Sequence, residues 1–355
     1  MPLKTGTHDI GTLLAVSNQS VAAFGIDKVA AILAADLARF NAIVKGDLIS
    51  SLVDVTTDRQ RIYGVSNSGN MVEVDEYGRA PTQNQGTPPA AGFPLRLFAY
   101  ALGWTEKFMQ TKTPADVATM QNDAQMAYLR MLQRELKKSF YLSANYTFSD
   151  VLVDKVPLAV KRLLNADSAA IPNGPNGEVF NAATHSHYLG ASSLTAGGVT
   201  SLIQTVIEHG VIGPVVVAIS VTDEVAFRAL TGFIPAADPR ITLSQNADQI
   251  TPRAAIYETN NRLIGYFGAA EVWVKPWAIA NYVVAYDSDG ANKPLVMRQR
   301  ESTSLQGLRI AANISIFPLT AQNMEAEFGF AVWNRHKMAV LYFANATYAD
   351  PAIAA

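Results

Sequence analysis

His185-Ser186-His187 is the one close pair of imidazoles in a chain of 355 residues that holds five histidines and no cysteine. Two residues apart on an extended strand, both rings point to one face and can present nitrogen lone pairs to the same ion. A metal site needs a third or fourth ligand, and no nearby carboxylate spacing supplies one. No metal and no other cofactor is therefore expected. Asp287-Ser288-Asp289-Gly290 opens like a calcium loop, but its twelfth position is Arg298, where a bidentate glutamate is required. It is read as a hairpin turn. No phosphate-binding G-x-x-x-x-G-K-[ST], no G-x-S-x-G and no H-E-x-x-H occurs. The carboxylates are scattered, and no catalytic residue is assigned. The absence of cysteine removes disulfides, thiolate metal sites and thiol nucleophiles together.

The elements that would position any chemistry come in a distinctive order. Residues 1–24 are small and polar and read as an extended arm. Ile26, Val29, Ile32, Leu33, Leu37, Phe40 and Val44 then recur at three- and four-residue steps, the stripe of a helix whose partner is either its own core or a neighbouring subunit. Over 52–110 the period becomes strand-like, at 53–55, 62–65, 71–74 and 93–102, around Asn67-Ser68-Gly69-Asn70 and a tract rich in Pro and Gly. The segment reads as one long hairpin. A two-stranded ribbon alone is marginal in water, so this one needs other chains or the body of the fold to lie on.

Thr113-Pro114-Ala115-Asp116 is a helix start: a capping hydroxyl, a proline where no amide bond is lost, and an acid at the positive end. Nothing interrupts the helix before 142, a rod of roughly 40 Å. A short apolar helix is expected at 158–164, and turns at 172–177. After 195 helix and strand alternate: helix at 199–209, a buried strand at 214–221, helix at 223–230, then strands at 254–258, 263–267, 271–274, 282–286, 295–297 and 308–316. Two apolar runs, 328–332 and 338–343, read as a closing hairpin. The fold class is α+β with a central sheet.

Composition narrows the function. The formal charge of −2 argues against holding nucleic acid by phosphate neutralisation, which needs a basic face. Charged residues are 16%, below the roughly 25% of an ordinary soluble domain, as when partners cover part of the surface. The 49% hydrophobic content is enough for a large core, in about two domains or in one unit with a long excursion. No apolar run approaches the ~20 residues of a membrane span. Four N-x-S/T triplets, at Asn18, Asn145, Asn313 and Asn345, are read as chance matches, because MPLKTGTHDI lacks a secretory pattern.

Taken in order, VDEYGRAPTQ (74–83), GFPLRLFAYALGWTEKFMQTKTPADV (92–117), GYFGAAEVWVKP (265–276) with KPLVMRQRE (293–301), and FGFAVWNRHKMAVLYF (328–343) resemble the major capsid proteins of tailed bacteriophages. The resemblance, which extends to encapsulins, implies a Hong Kong 97-like capsid fold. Its parts would be an N-terminal arm and helix at 1–50, an extended loop at 51–110, a peripheral domain at 111–194 with its spine helix at 114–142, an axial domain at 195–307, and returning strands at 308–355. It implies a non-enzymatic shell of hexamers and pentamers that encloses double-stranded DNA without reading its sequence, assembled in the bacterial cytoplasm and found in the virion. Portal and decoration proteins would be partners. With the hairpin starting near residue 50, the expectation is a separate scaffolding protein or an already processed chain. The resemblance makes Arg59, Arg61, Asp75, Glu76, Arg79, Asp116, Arg130 and Arg134 candidates for contacts between subunits. Relatives that weld subunits do so through a loop lysine, and no lysine lies between Lys45 and Lys107. No such cross-link is expected. The alternatives are an encapsulin-like compartment and, from another class, a soluble α+β enzyme.

Overall fold

The computed structural model describes residues 10–16, 18–47, 52–63, 71–79, 89–211, 213–236, 241–243, 250–252, 261–288, 293–316 and 319–353. The strand expected at 254–258 and the turn at Asp289-Gly290 lie outside them.

The long helix runs Pro114–Tyr141 and begins as its sequence dictates. Thr113 accepts from the Asp116 amide, and the Asp116 carboxylate accepts from the Thr113 amide at 2.9 Å. Its buried face carries Val117, Gln121, Ala124, Gln125, Tyr128, Leu132, Leu136 and Phe140. The helix Ile26–Asp47 lies against it, so its apolar stripe docks on its own chain. Two glutamines fix this contact: Gln121 Nε2 donates to Leu33 O at 2.9 Å and Gln125 Nε2 to Asp36 Oδ2 at 2.7 Å. The preceding arm is not extended throughout. Ile10–Leu14 and Val21–Phe24 are short helices, and Leu13 and Val21 bury against Val117 and Ala118. Their apolar residues are too few to show a period, and packing on the long helix decides their conformation.

Two sheets flank the long helix. In the seven-stranded sheet the order is Tyr188–Gly190, Met338–Tyr342, Tyr282–Asp287, Val215–Ile219, Ala270–Val274, Arg262–Phe267 and Phe233–Pro235. Val215, Val217 and Ile219 face Val199, Leu202 and Val206 of the helix Ala196–Ile207, whereas Val216 and Ala218 face the core of the long helix. A strand covered on both faces has to be apolar without alternation, as this one is. The second sheet joins Val53–Thr56, Leu295–Gln299, Leu319–Val332 and Arg309–Ile316, with Arg96–Thr105 also paired to Leu319–Val332. One continuous core unites both sheets with Tyr128, Leu136 and Phe140. Gly329 lets the chain at Pro94 press against the strand Leu319–Val332, since a Cβ there would sit 2.2 Å from Pro94 O.

Three expectations are corrected. Residues 338–343 do not fold back on 328–332: the strand Leu319–Val332 ends in one sheet, and after the turn Met338–Tyr342 enters the other, beside Tyr282–Asp287. Residues 158–160 of the expected 158–164 helix belong instead to the strand Pro157–Val160, antiparallel to Tyr146–Ser149, a short apolar run whose type periodicity does not decide. The region 52–110 is not one hairpin. Val53–Thr56 runs parallel to Leu295–Gln299 and Arg96–Thr105 pairs with Leu319–Val332, so both ends belong to the body. Among the described residues only Gln60–Ile62 and Ala90–Gly92 pair as ribbon, and Met71, Val72 and Val74, expected as strand, are irregular. A further helix, Glu106–Thr111, is capped by Thr105.

Candidate functional site

For a chain with no assigned catalytic residue, the functional surface is whatever the monomer leaves uncovered. The ribbon leaves the body at a charged root. Arg59 makes a two-pronged bond to Asp154, at 2.9 and 2.7 Å, and its Nε lies 3.2 Å from Asp150. Arg298, the residue that spoils the calcium loop, is buried beneath it and donates to Asp150 Oδ2 and to Phe93 O, both at 2.9 Å. The hydrogen bond from Arg59 holds the Asp154 carboxyl below its usual range, and the same bond raises Arg59. Arg61 donates to Asp58 at 2.6 Å and to Thr56, lowering the Asp58 carboxyl, and its guanidinium lies 4.7 Å from the centre of the Trp333 ring.

The candidate contact residues therefore fall into two groups. Arg59, Arg61 and Asp116 spend their charge inside their own chain, Asp116 on the helix cap, where the Thr113 amide and hydroxyl lower its carboxyl. Arg134 lies 3.9 Å from Glu135. Asp75, Glu76 and Arg79 on the ribbon and Arg130 on the long helix are exposed. These four remain available to another molecule, with Asp75 also accepting from the Tyr77 amide.

Sequence reading concentrated on charge, yet the uncovered apolar side chains are the larger signal. Met71, Val72, Val74 and Tyr77 of the ribbon are exposed, Met71 and Tyr77 at 105% and 89%. Leu97, Tyr100, Ile314, Ile316 and Leu319 are exposed on the strands around Leu319–Val332, and Val225 and Ile234 lie near the far edge of the seven-stranded sheet. Large apolar groups left in water side by side, as at Met71, Val72 and Val74, are the mark of surfaces that associate. The alternation of the ribbon residues in VEV was legible, but periodicity cannot tell an own core from a partner's.

The histidine pair meets the ligands that sequence spacing did not offer. His209 and Glu208, directly after the helix Ala196–Ile207, come against His185 and His187, and the ligand atoms of all four lie within 4.8 Å of one another. No helix among the described residues is long and apolar enough to cross a membrane.

No protein-family model matches the sequence, and no curated protein matches it. Solved structures do. A chain of Mycobacterium phage Patience aligns at a TM-score of 0.68 with 20% identity, covering 99% of this chain and 97% of that one. The capsid of the native GTA particle aligns at 0.48 with 13% identity, over 86% of this chain and 90% of that one. The holo-SrpI encapsulin complex from Synechococcus elongatus aligns at 0.44 with 11% identity, over 86% and 88%. The α+β arrangement of capped long helix, root-anchored ribbon and two sheets is thus the Hong Kong 97-like capsid fold, present over nearly the whole chain.

Proposed function

We propose that this chain is a major capsid protein: many copies close into an icosahedral shell of hexamers and pentamers around a phage genome. The observation that carries the reading is the ribbon, whose Met71, Val72, Val74 and Tyr77 find no core in their own chain. Laid over a neighbouring subunit they would leave water, at about 1.5–3 kcal/mol for each large side chain fully covered. Ribbon-on-body contacts are heterologous, and such contacts close into rings when the rotation permits. Asp75, Glu76, Arg79 and Arg130 would set register at the rim, where charge acts on specificity more than on affinity. The far edge of the seven-stranded sheet, with Val225 and Ile234, would face its equivalents around each vertex.

The same reading assigns the lumen to double-stranded DNA held without sequence recognition, in keeping with a net charge of −2. With no lysine between Lys45 and Lys107, no ammonium group on the ribbon is available for welding, and the shell is held by non-covalent contacts. A scaffolding protein, a portal and decoration proteins complete the proposed partners, and the virion is the proposed location.

Size-exclusion chromatography with negative-stain microscopy of the full chain tests this. Shell-sized particles are expected, and denaturing gels of those particles should show only the 38.2 kDa species. A chain that stays monomeric at high concentration overturns the shell reading. Particles that carry a protein cargo and no DNA would instead make it an encapsulin-like compartment.

A further inference from the structure

Four histidines, His185, His187, His209 and His336, gather in one place. His185 Nε2 and His209 Nε2 lie 3.0 Å apart, and His187 Nε2 and His209 Nε2 3.2 Å apart. Glu208 Oε1 is 3.5 Å from His185 Nε2 and 3.9 Å from His209 Nε2.

The opposite ring nitrogens fix the protonation of two of these rings. His187 Nδ1 lies 2.8 Å from Met338 O and His209 Nδ1 3.1 Å from Pro172 O. A carbonyl only accepts, so both Nδ1 atoms carry the hydrogen and both Nε2 atoms present lone pairs. His187 Nε2 and His209 Nε2 therefore face each other with no proton between them. A proton on His185 Nε2 can satisfy His209, but His187, wholly buried, is still left against a lone pair.

We propose that His185, His187, His209 and Glu208 bind a divalent transition-metal ion, zinc being the one this ligand set suits best. A tetrahedral zinc with nitrogens at about 2.0–2.1 Å spaces its ligand atoms about 3.3–3.4 Å apart, which the four separations above bracket, and the remaining pairs lie within 4.8 Å. Ring nitrogens fixed by backbone carbonyls behind them are the usual support of metal-ligating histidines. Four protein ligands make a closed, structural site. Phe180 packs at a tilt against His185 and His209, and a hollow of about 620 Å³, lined by Phe180, Gln204 and Glu208, lies beside the cluster on the Glu208 side. The ion would tie the stretch before Tyr188–Gly190, at the edge of the seven-stranded sheet, to the end of the helix Ala196–Ile207.

The test uses the purified full chain, stripped with a chelator and titrated with Zn²⁺, and with Co²⁺ as a spectroscopic probe. About one zinc per chain, the visible absorption of tetrahedral cobalt, and a Tm that rises with added Zn²⁺ are expected. His209→Ala should abolish all three. Glu208→Gln and His185→Gln, at the less buried ligands, should fold and bind at least about tenfold more weakly, since loss of even a supporting partner costs about 10–100-fold. A wild-type Tm indifferent to Zn²⁺ with no retained metal overturns the proposal. So does zinc binding that is equally tight in His185→Gln and Glu208→Gln.

Discussion

Arg335 and Asp167, 168 residues apart, meet with Nη1 3.1 Å from Oδ1 beneath the turn that carries the chain from one sheet to the other. The arginine is 1% exposed and donates besides to Arg162 O, Leu163 O, Asn165 Oδ1 and the Tyr63 hydroxyl, over whose ring its guanidinium stacks. One side chain thus satisfies the carbonyls of Arg162 and Leu163 and the Asn165 side chain, and anchors the ribbon's Tyr63. Only the planar fork of an arginine reaches so many acceptors at once. Arg335→Ala should destabilise the chain by ~3 kcal/mol or more, the cost of breaking a buried pair, read as a fall in urea midpoint.

The same pair makes the fold sensitive to acid. Burial pushes the Asp167 carboxyl up, but Lys161 and Arg335 outweigh it and hold it at about 2. A carboxyl depressed in the folded state contributes stability that is complete above its ordinary pKa of about 3.9 and is lost as pH falls through the folded value. Urea midpoints measured from pH 5 down to pH 2 should fall steadily in the parent chain. Asp167→Asn should start lower and show a shallower decline over this window.

The long helix tests whether its cap and its interior matter differently. Thr113→Ala removes the acceptor of the Asp116 amide and the hydroxyl bond to the Asp116 carboxylate, and should cost ~1 kcal/mol. Gln125→Pro breaks the middle of the helix and the bond to Asp36, and should cost ~3 kcal/mol or more. Midpoints by circular dichroism check both, and assembly is expected to survive the first and fail in the second.

Local signals were strong wherever one residue does one local job. Thr113, Pro114 and Asp116 announced the long helix to within a residue of its end, and the unbroken apolar run of Val215–Ile219 announced a strand covered on both faces. What was not legible depends on contacts distant in sequence. The runs 328–332 and 338–343 look like a hairpin because nothing local says that Trp333 and Arg335 turn the chain from one sheet to another. His185 and His187 seemed short of ligands because Glu208 and His209 arrive only once the helix Ala196–Ile207 has packed on its sheet. The clustering of histidines in 185–209 was the one available clue. Arg59 and Arg61 looked free for a neighbour because the sequence does not reveal that Asp154 and Trp333 lie beside them.

Removing residues 67–88 tests the ribbon as an assembly element. The deletion leaves intact the pairing of Gln60–Ile62 with Ala90–Gly92 and the bond from the Tyr63 amide to Pro89 O. The body should keep its circular dichroism and its urea midpoint, because Met71, Val72, Val74 and Tyr77 contribute nothing to its core. Shells should not form. Particles of ordinary stability from this variant would show that the ribbon is not what joins subunits.

Two of the ion pairs at the ribbon root differ in weight. Arg59 and Asp154 are 34% and 44% exposed, and pairs of that kind contribute little because water screens them. Asp150 and Arg298 are 0% and 4% exposed, and Asp150 also holds the Nε side of Arg59. Taking away the buried carboxylate leaves the Arg298 guanidinium, 4% exposed, with the Phe93 carbonyl and without its counter-charge. Asp150→Ala should therefore cost ~3–5 kcal/mol, whereas Asp154→Ala should leave the urea midpoint close to that of the parent. If the two variants lost equal stability, the exposed pair would be holding the ribbon to the body as firmly as the buried one. The root would then be fixed by its surface and not by the charge enclosed beneath it.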